Sequence, residues 1–169
     1  LSAEKAVQIA DNLAQQDIDL LIEYQIDVSA SNRIAARFQK RGIPIIAIDI
    51  PIVGATYFGV NNYLAGHVAG EALGQWIKRH WQGHYDYLLV LEEKRAGALP
   101  AARIQGQLEG LRDIISEHPQ QTLYLDSGNT SDISYQHVLE TLIRLGPARL
   151  VVLSFNDDAA LGALKAVRE

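Results

Sequence analysis

The sequence predicts an α/β fold with parallel strands, on the basis of three observations. Helical stretches of about ten to twenty residues alternate with short runs rich in Ile, Leu, Val and Tyr, which is the spacing of β-α units. These runs are continuously apolar, as expected of parallel strands covered on both faces. The sequence opens on a helical pattern and stops within another, so we expect an incomplete protein that lacks at least one β-α unit on each side.

Residues 1–60 predict two helices and three strands. In residues 2–16, apolar side chains recur at three- and four-residue spacing, which predicts a helix with Ser2 as its N-cap. Gly42 can adopt the left-handed conformation that ends a helix, and the strand after it ends at Asp49. The predicted elements are, in order, helix 2–16, strand 18–24, helix 32–41, strand 43–48 and strand 57–60.

A long helix is predicted over residues 63–81, ending before Gly83. Within it Gly66, Gly70 and Gly74 fall four residues apart and therefore share one face. Each glycine inside a helix costs about 0.5–1 kcal/mol relative to alanine. Three in line therefore indicate that a sheet or another helix approaches the backbone closely.

The rest of the chain continues the alternation of strand and helix. Ser131 or Asp132 is a candidate N-cap, Gly146 a stop signal, and Asp157 or Asp158 a candidate start of the last helix. The predicted elements are strand 87–91, helix 101–117, strand 123–125, a helix ending at 145, strand 150–154 and a helix through 167.

Composition excludes several classes of protein. The chain has 169 residues, of which 48% are hydrophobic and 21% charged, and this balance is typical of a globular protein with a sizeable core. It has no cysteine, which excludes disulfides, thiolate metal sites and cysteine nucleophiles. The net charge is −5, and the densest basic stretch, 33–41, alternates with apolar residues as a solvated helix face does. This segment alone is not expected to bind DNA.

Polar side chains follow several predicted strands where each strand ends. Ligands of open parallel sheets bind there, because loops and helix N-termini converge at that edge. A carboxylate, an amide and a guanidinium together suit a neutral polyhydroxylated ligand such as a sugar, and an adjacent aromatic ring can stack on it. The candidates are Asp49, Arg103, Asp126, Asn129, Thr130, Asn156 and Asp157, with Phe155, Tyr57 and Phe58 as stacking rings.

Structural roles are the alternative for each candidate. Asp49 could cap a turn near Pro51, and Asn156 or Asp157 could cap the last helix. Arg103 could form a surface ion pair with Glu92, Glu93 or Glu109. Position alone gives the two interpretations similar weight, and the joint placement of the candidates at strand ends favours a ligand site.

The sequence carries no pattern typical of catalysis or of a cofactor. Nucleophile-elbow, P-loop, dinucleotide-binding and zinc-protease motifs are all missing. His80 and His84 have a ligand-like spacing, but Gly83 between them favours a solvated helix end. The remaining histidines, His67, His118 and His137, are isolated in the sequence. We therefore predict no enzyme, no cofactor and no metal site.

Three segments resemble one protein superfamily. The stretch IPIIAIDIPIVGATYFGVNNYLAGHVAGEALGQWI is similar to a segment of type I periplasmic sugar-binding proteins and lactose-repressor-like regulators, in which a strand ends in Asp and a glycine-containing helix follows. LPAARIQGQLEGLRDII and SFNDDAALGALKAVRE resemble two further segments of that superfamily. Nearly all of the chain is covered.

The resemblance implies two similar doubly wound lobes joined by a hinge, with the ligand enclosed between them. The first lobe would comprise residues 1–59 and the second residues 60–169, both partial. The sugar-binding Asp, Arg and Asn of the family match Asp49, Arg103 and Asn156. Ile50 stands where several sugar binders have Arg, and no aromatic residue occurs near 130–133 before Tyr135.

The resemblance also implies a function and partners. The main hypothesis is a periplasmic, non-catalytic solute-binding protein that passes a sugar or small polyol to the permease of an ABC transporter. The alternative is the ligand-sensing domain of a cytoplasmic regulator that reaches DNA through a module outside this sequence. A homodimer is left open, and an α/β enzyme using Asp49 or Asp157 is the third and weakest hypothesis.

Overall fold

The computed structural model describes residues 2–93, 98–116, 119 and 121–169. Helices and strands alternate along the chain except between the second and third strands. The elements are α1 Ala3–Leu13, β1 Leu21–Glu23, α2 Val28–Lys40, β2 Ile45–Ile48, β3 Thr56–Phe58, α3 Asn62–Trp81, β4 Tyr87–Glu92, α4 Ala98–Ile114, β5 Gln121–Asp126, α5 Ser131–Leu145, β6 Leu150–Ser154 and α6 Asp157–Val167. The expectation of an α/β chain with parallel strands is confirmed, because every strand pairing is parallel.

Two compact units divide the chain, Leu1–Val60 and Asn61–Glu169. The first unit holds a three-stranded sheet in the order β1-β2-β3. Helices α1 and α2 cover one face of it, and Phe38 is the largest fully buried side chain of that core. The other face leaves Ile22 63% and Phe58 70% exposed. Coverage of both faces, expected from the apolar runs, is therefore not present within residues 2–60.

The second unit holds a sheet in the order β5-β4-β6, so β4 is the central strand. Alternate residues of β4 enter two separate cores. Leu88 and Val90 pack with side chains of α3 and α4, while Leu89 and Leu91 pack with side chains of α5 and α6. This strand is thus covered on both faces, as its continuous apolar sequence predicts.

The glycine face of α3 packs against α4. A Cβ at Gly66 would meet the backbone carbonyl of Arg103, and one at Gly70 would meet that of Gln107. Helix α4 contributes Gly106 and Gly110, whose backbones lie against the backbone of α3. The predicted close approach is therefore confirmed, and of the two partners considered, the partner is a helix. Glycine is required on both sides because two backbones in contact leave no room for side chains.

Helix ends show where local sequence signals were misread. Ser2 caps α1 as predicted, accepting a hydrogen bond from the Lys5 N–H. Helix α2 begins four residues earlier than predicted, because Asp27 accepts from the Ala30 N–H at 2.7 Å and caps it. Thr130, rather than Ser131 or Asp132, caps α5. No helix in the part of the chain that the structure describes combines the length and apolarity needed to cross a bilayer.

Candidate functional site

Arg103 lies on α4 with its guanidinium against Phe155. Nη1 donates a hydrogen bond to the Phe155 carbonyl at 3.2 Å, and Cζ lies 5.4 Å from the centroid of the Phe155 ring. Helix α4 begins at Ala98, so Arg103 is in its second turn rather than the predicted first turn. The Nε–H is buried and has no hydrogen-bond partner among the described residues. A buried unpaired donor costs about 1–3 kcal/mol, and a ligand oxygen would satisfy it.

A cleft of about 400 Å³ lies beside this pair within the second unit. Its size falls in the range of small-molecule sites. Small residues of α3 form one wall, while the end of β6 and the start of α6 form another. The polar residues that line it are Arg103, Gln107, Ser154, Asn156 and Asp157, together with the ring of Phe155. The structure thus brings four of the predicted candidates, Arg103, Phe155, Asn156 and Asp157, to one cavity.

Asn156 has a structural role in addition to its place in the cleft. Its Oδ1 accepts from the Ala159 N–H at 3.0 Å and caps α6, as the structural alternative anticipated. The cap uses the amide oxygen and leaves the amide nitrogen as a donor for another partner. Asp157 and Asp158 lie in the first turn, where negative charge favours the helix dipole. Helix α6 therefore starts at Asp157, one of the two residues predicted to open it, with Asn156 as its N-cap.

Asn129 and Thr130 lie at the end of β5, and the cleft does not include them. Thr130 caps α5, with Oγ1 3.5 Å from the Ile133 N–H. Asn129 has a positive φ of 59°, and its N–H donates to Ser127 Oγ at 3.2 Å. Its Oδ1 is buried without a hydrogen-bond partner in the described ranges. Of these two residues, only Asn129 has a buried side-chain atom without a hydrogen-bond partner among the described residues.

Asp49 belongs to the first unit and follows β2 directly. It has a φ of 58°, in the left-handed region, and its N–H donates to the Phe58 carbonyl at 3.0 Å. A Cβ at Gly59 would lie 3.0 Å from Asp49 Oδ1 and would also meet the Tyr57 hydroxyl. Non-glycine residues rarely adopt this conformation, and Asp is among those that tolerate it best. The backbone conformation therefore sets the direction in which the Asp49 side chain leaves the main chain.

Two polar residues were missed in the sequence. Gln107 lies one turn after Arg103 and donates to the Ser154 carbonyl at 3.0 Å, while its Oε1 is buried without a partner in the described part of the chain. The four-residue spacing from Arg103 could have identified it. Glu23, at the end of β1, is only 7% exposed. Burial raises the pKa of Glu23 and outweighs the opposing effect of the neighbouring Ser31 hydroxyl.

The segment between β4 and α4 is shorter than predicted. The predicted strand 87–91 and helix 101–117 leave a loop at 92–100, whereas β4 extends to Glu92 and α4 begins at Ala98. Residues 94–97 lie outside the described residues. Glu109, one of the ion-pair partners considered for Arg103, accepts instead from Tyr63 at 2.5 Å and Gln105 at 2.9 Å.

Similar solved structures include two solute-binding proteins. A periplasmic solute-binding protein of an ABC transporter from Actinobacillus succinogenes, bound to D-allose, matches with a TM-score of 0.79 and 20% identity. The match covers 99% of this chain and 60% of that one. The myo-inositol-binding protein of Caulobacter matches with a TM-score of 0.71 and 24% identity, covering 99% and 56% of the two chains. The fold is that of the type I periplasmic binding proteins.

Sequence comparison agrees with the fold. The ribose import binding protein of Escherichia coli (strain K12) is 23% identical over 167 residues, which are 97% of this chain and 53% of that protein. The chain thus spans about half the length of the curated relative that it matches. The family described as periplasmic binding protein domain matches residues 1–169. The whole chain therefore belongs to the periplasmic binding protein domain family.

Proposed function

We propose that this chain is part of a non-catalytic solute-binding protein that binds a sugar or a similar small polyol. The two compact units would be parts of its two lobes, with a boundary near residue 60. The protein would work outside the cytoplasm and pass its ligand to the membrane permease of an ABC transporter. The names of the relatives support this proposal, since they bind ribose, D-allose and myo-inositol.

The cleft of the second unit is the observation that carries the proposal. The buried Nε–H of Arg103 and the amide of Asn156 would donate to ligand oxygens, and the buried Oε1 of Gln107 would accept from a hydroxyl. Sugar hydroxyls donate and accept at once, so they can satisfy both kinds of group. A ligand that leaves one of these buried groups unpaired would lose about 1–3 kcal/mol, which provides selectivity.

Asp49 would contribute the acceptor of the first unit. A carboxylate accepts from two neighbouring hydroxyls, an arrangement that sugars and inositols present. The left-handed backbone sets the direction in which the Asp49 side chain leaves the main chain. We propose that Asp49, Arg103 and Asn156 all contact the ligand, with Phe155 supporting Arg103 and Asn129 as a further candidate.

A binding screen on the full-length protein tests this function. Pentoses, hexoses, inositols and, as a comparison, amino acids are added singly while the melting temperature is measured, and calorimetry then gives the affinity. We expect one sugar or polyol to raise the melting temperature and to be recovered chemically unchanged. Stabilisation by an amino acid but by no sugar, or conversion of the bound sugar to a product, would overturn the proposal.

A further inference from the structure

Three side chains with metal-ligating groups meet where α3 packs on α4, outside the cleft. His67 and Glu71 lie one turn apart on α3, and Asp113 lies on α4. His67 Nε2 is 3.0 Å from Asp113 Oδ2, and its Nδ1 is 3.8 Å from Glu71 Oε2. One ring nitrogen and one oxygen of each carboxylate lie within 4.8 Å of one another. We call His67, Glu71 and Asp113 the interhelical cluster.

The backbones that carry the interhelical cluster are fixed by glycine contacts. A Cβ at Gly110 would meet the carbonyl of His67 and the amide nitrogen of Glu71, and one at Gly106 would meet the amide nitrogen of His67. Asp113 lies one turn beyond Gly110 on α4. The two helices cannot slide apart without losing this backbone packing, so the positions of the three Cα atoms are set before any ligand binds.

Each ring nitrogen of His67 faces a carboxylate in this cluster. An imidazole nitrogen binds a metal ion through its lone pair, and carboxylate oxygens coordinate the same ions. A cation held between the imidazole and the carboxylates would therefore interact favourably with all three side chains.

We propose that the interhelical cluster binds a divalent transition-metal ion of the zinc type. One imidazole nitrogen and two carboxylate oxygens are a ligand set that such ions accept, with water completing the coordination. Imidazole disfavours Ca²⁺ and Mg²⁺, which prefer oxygen ligands. By bridging α3 and α4, the ion would stabilise the second unit.

Small side-chain movements suffice to close the cluster around an ion. Ligand atoms around a tetrahedral zinc ion lie about 3.4 Å apart, given bonds of about 2.0–2.2 Å. The atoms of the cluster lie within 4.8 Å of one another, so the most widely separated pair must approach by at most about 1.4 Å. The side chains of Glu71 and Asp113 are 42% and 62% exposed and free to adjust, while that of His67 is 23% exposed and more restrained.

The structure gives His67 neighbours that are not apparent in the sequence. His67 is isolated in the sequence apart from Glu71, and the distant third member, Asp113, becomes its neighbour only through the packing of α3 on α4. No metal-ligand spacing in the sequence could have indicated this cluster, because its members come from two helices. The structure places together what the sequence separates by 46 positions.

Calorimetric titration of the full-length protein with ZnCl₂ tests the proposal, with MgCl₂ and CaCl₂ as parallel titrations. His67→Gln and Asp113→Asn each remove one ligand. His80→Gln is the matched control, because His80 lies on the same helix and stacks on Trp76 instead. We expect zinc to bind the wild type and His80→Gln alike, and to bind the two cluster variants about tenfold more weakly or worse.

The melting temperature provides a second measurement. Zinc should raise it in the wild type and in His80→Gln, and should raise it less in the cluster variants. If circular dichroism shows that His67→Gln does not fold, Asp113→Asn decides the question, since its side chain is exposed. The absence of zinc binding up to about 1 mM, equal binding of Mg²⁺, or full zinc affinity in Asp113→Asn would overturn the proposal.

Discussion

The guanidinium of Arg103 lies 5.4 Å above the ring of Phe155 and donates a hydrogen bond to the carbonyl of the same residue. Two contacts to one neighbour restrict the rotation of a long side chain, and the stacking contributes about 0.5–2 kcal/mol. Its Nε–H is buried and has no hydrogen-bond partner among the described residues. Arg103 is thus held in place while one of its hydrogen-bond donors stays available. This arrangement favours a ligand-binding role over a purely structural one.

Replacing Arg103 with lysine tests whether its guanidinium binds the ligand or only stabilises the fold. Lysine keeps the positive charge but has no planar fork to stack on Phe155 and to donate through Nε. We expect sugar affinity to fall about 10- to 100-fold, the equivalent of one charge-assisted hydrogen bond, with a loss of about 1 kcal/mol or less in the unfolding free energy without ligand. Calorimetry and urea unfolding measure the two quantities. Arg112→Lys, exposed on the same helix, is the control and should bind normally.

Asn156 requires two substitutions, because it both caps α6 and lines the cleft. Alanine removes the cap and should lower the unfolding free energy by about 1 kcal/mol in the absence of ligand. Aspartate keeps the oxygen that caps the helix and removes the amide donor, so stability should stay within about 0.5 kcal/mol while sugar affinity falls about tenfold or more. Unchanged affinity in Asn156→Asp would exclude the amide from the site.

Much of the fold follows from local sequence patterns, because the spacing of apolar residues distinguishes helices from strands. All six strands and all six helices in the described ranges lie where the periodicity predicts them, with shifted ends. The errors in the helix starts occur because several adjacent residues can act as the N-cap. Thr130, Ser131 and Asp132 are all good caps, and only the backbone conformation, extended at Thr130, selects among them.

The site was less predictable than the fold. Strand ends nominate Arg103, Phe155 and Asn156, and the second unit places all three at one cleft. The buried Oε1 of Gln107 and the burial of Glu23 depend on which side chains pack above them, and a single sequence does not encode this in any local pattern. Polar residues whose role depends on burial are those that sequence reasoning misses.

Because α3 contacts α4 through glycine, we expect a Gly→Ala substitution there to destabilise the protein, the reverse of its usual effect in a helix. In an ordinary helix, Gly→Ala stabilises by about 0.5–1 kcal/mol. At Gly66 the new methyl group would meet the backbone carbonyl of Arg103, so we expect Gly66→Ala to destabilise the protein by about 1–3 kcal/mol. Urea unfolding measures the change. Ala72→Ser, exposed on the same helix, should stay within about 0.5 kcal/mol.

Glu23 predicts a specific dependence of stability on pH. Burial raises its pKa above the ordinary value of 4.5, so the folded protein binds its proton more tightly than the unfolded chain. The wild type should therefore lose stability as the pH rises from the unfolded pKa towards the raised folded pKa, because the buried group must ionise. Glu23→Gln cannot ionise and should become more stable relative to the wild type over this interval. Urea unfolding at pH 4 to 8 measures the difference.

The opposite sign at Glu4 provides a control for that experiment. A hydrogen bond of 2.7 Å from Arg33 lowers the pKa of Glu4, so its contribution to stability is present above the unfolded pKa and is lost as the pH falls. Glu4→Gln should therefore become less stable relative to the wild type as the pH rises towards the unfolded pKa of 4.5, with a constant difference above it, so the urea series for this variant is extended below pH 4. The same trend in Glu23→Gln would show that the Glu23 carboxylate is stabilised rather than penalised by its surroundings.

Asp49 is best tested with asparagine, because its backbone φ of 58° limits the choice of replacement. Asn tolerates the left-handed region at least as well as Asp, whereas alanine would add strain of about 1 kcal/mol and obscure the effect on binding. Asn also keeps one acceptor oxygen but replaces the other with a donor and removes the negative charge, so the charge-assisted hydrogen bonds from sugar hydroxyls are lost. We therefore expect Asp49→Asn to keep the melting temperature of the unliganded protein and to lower sugar affinity about 10- to 100-fold by calorimetry. Full affinity in this variant would show that the strained turn serves the hydrogen bond to Phe58 and not the ligand.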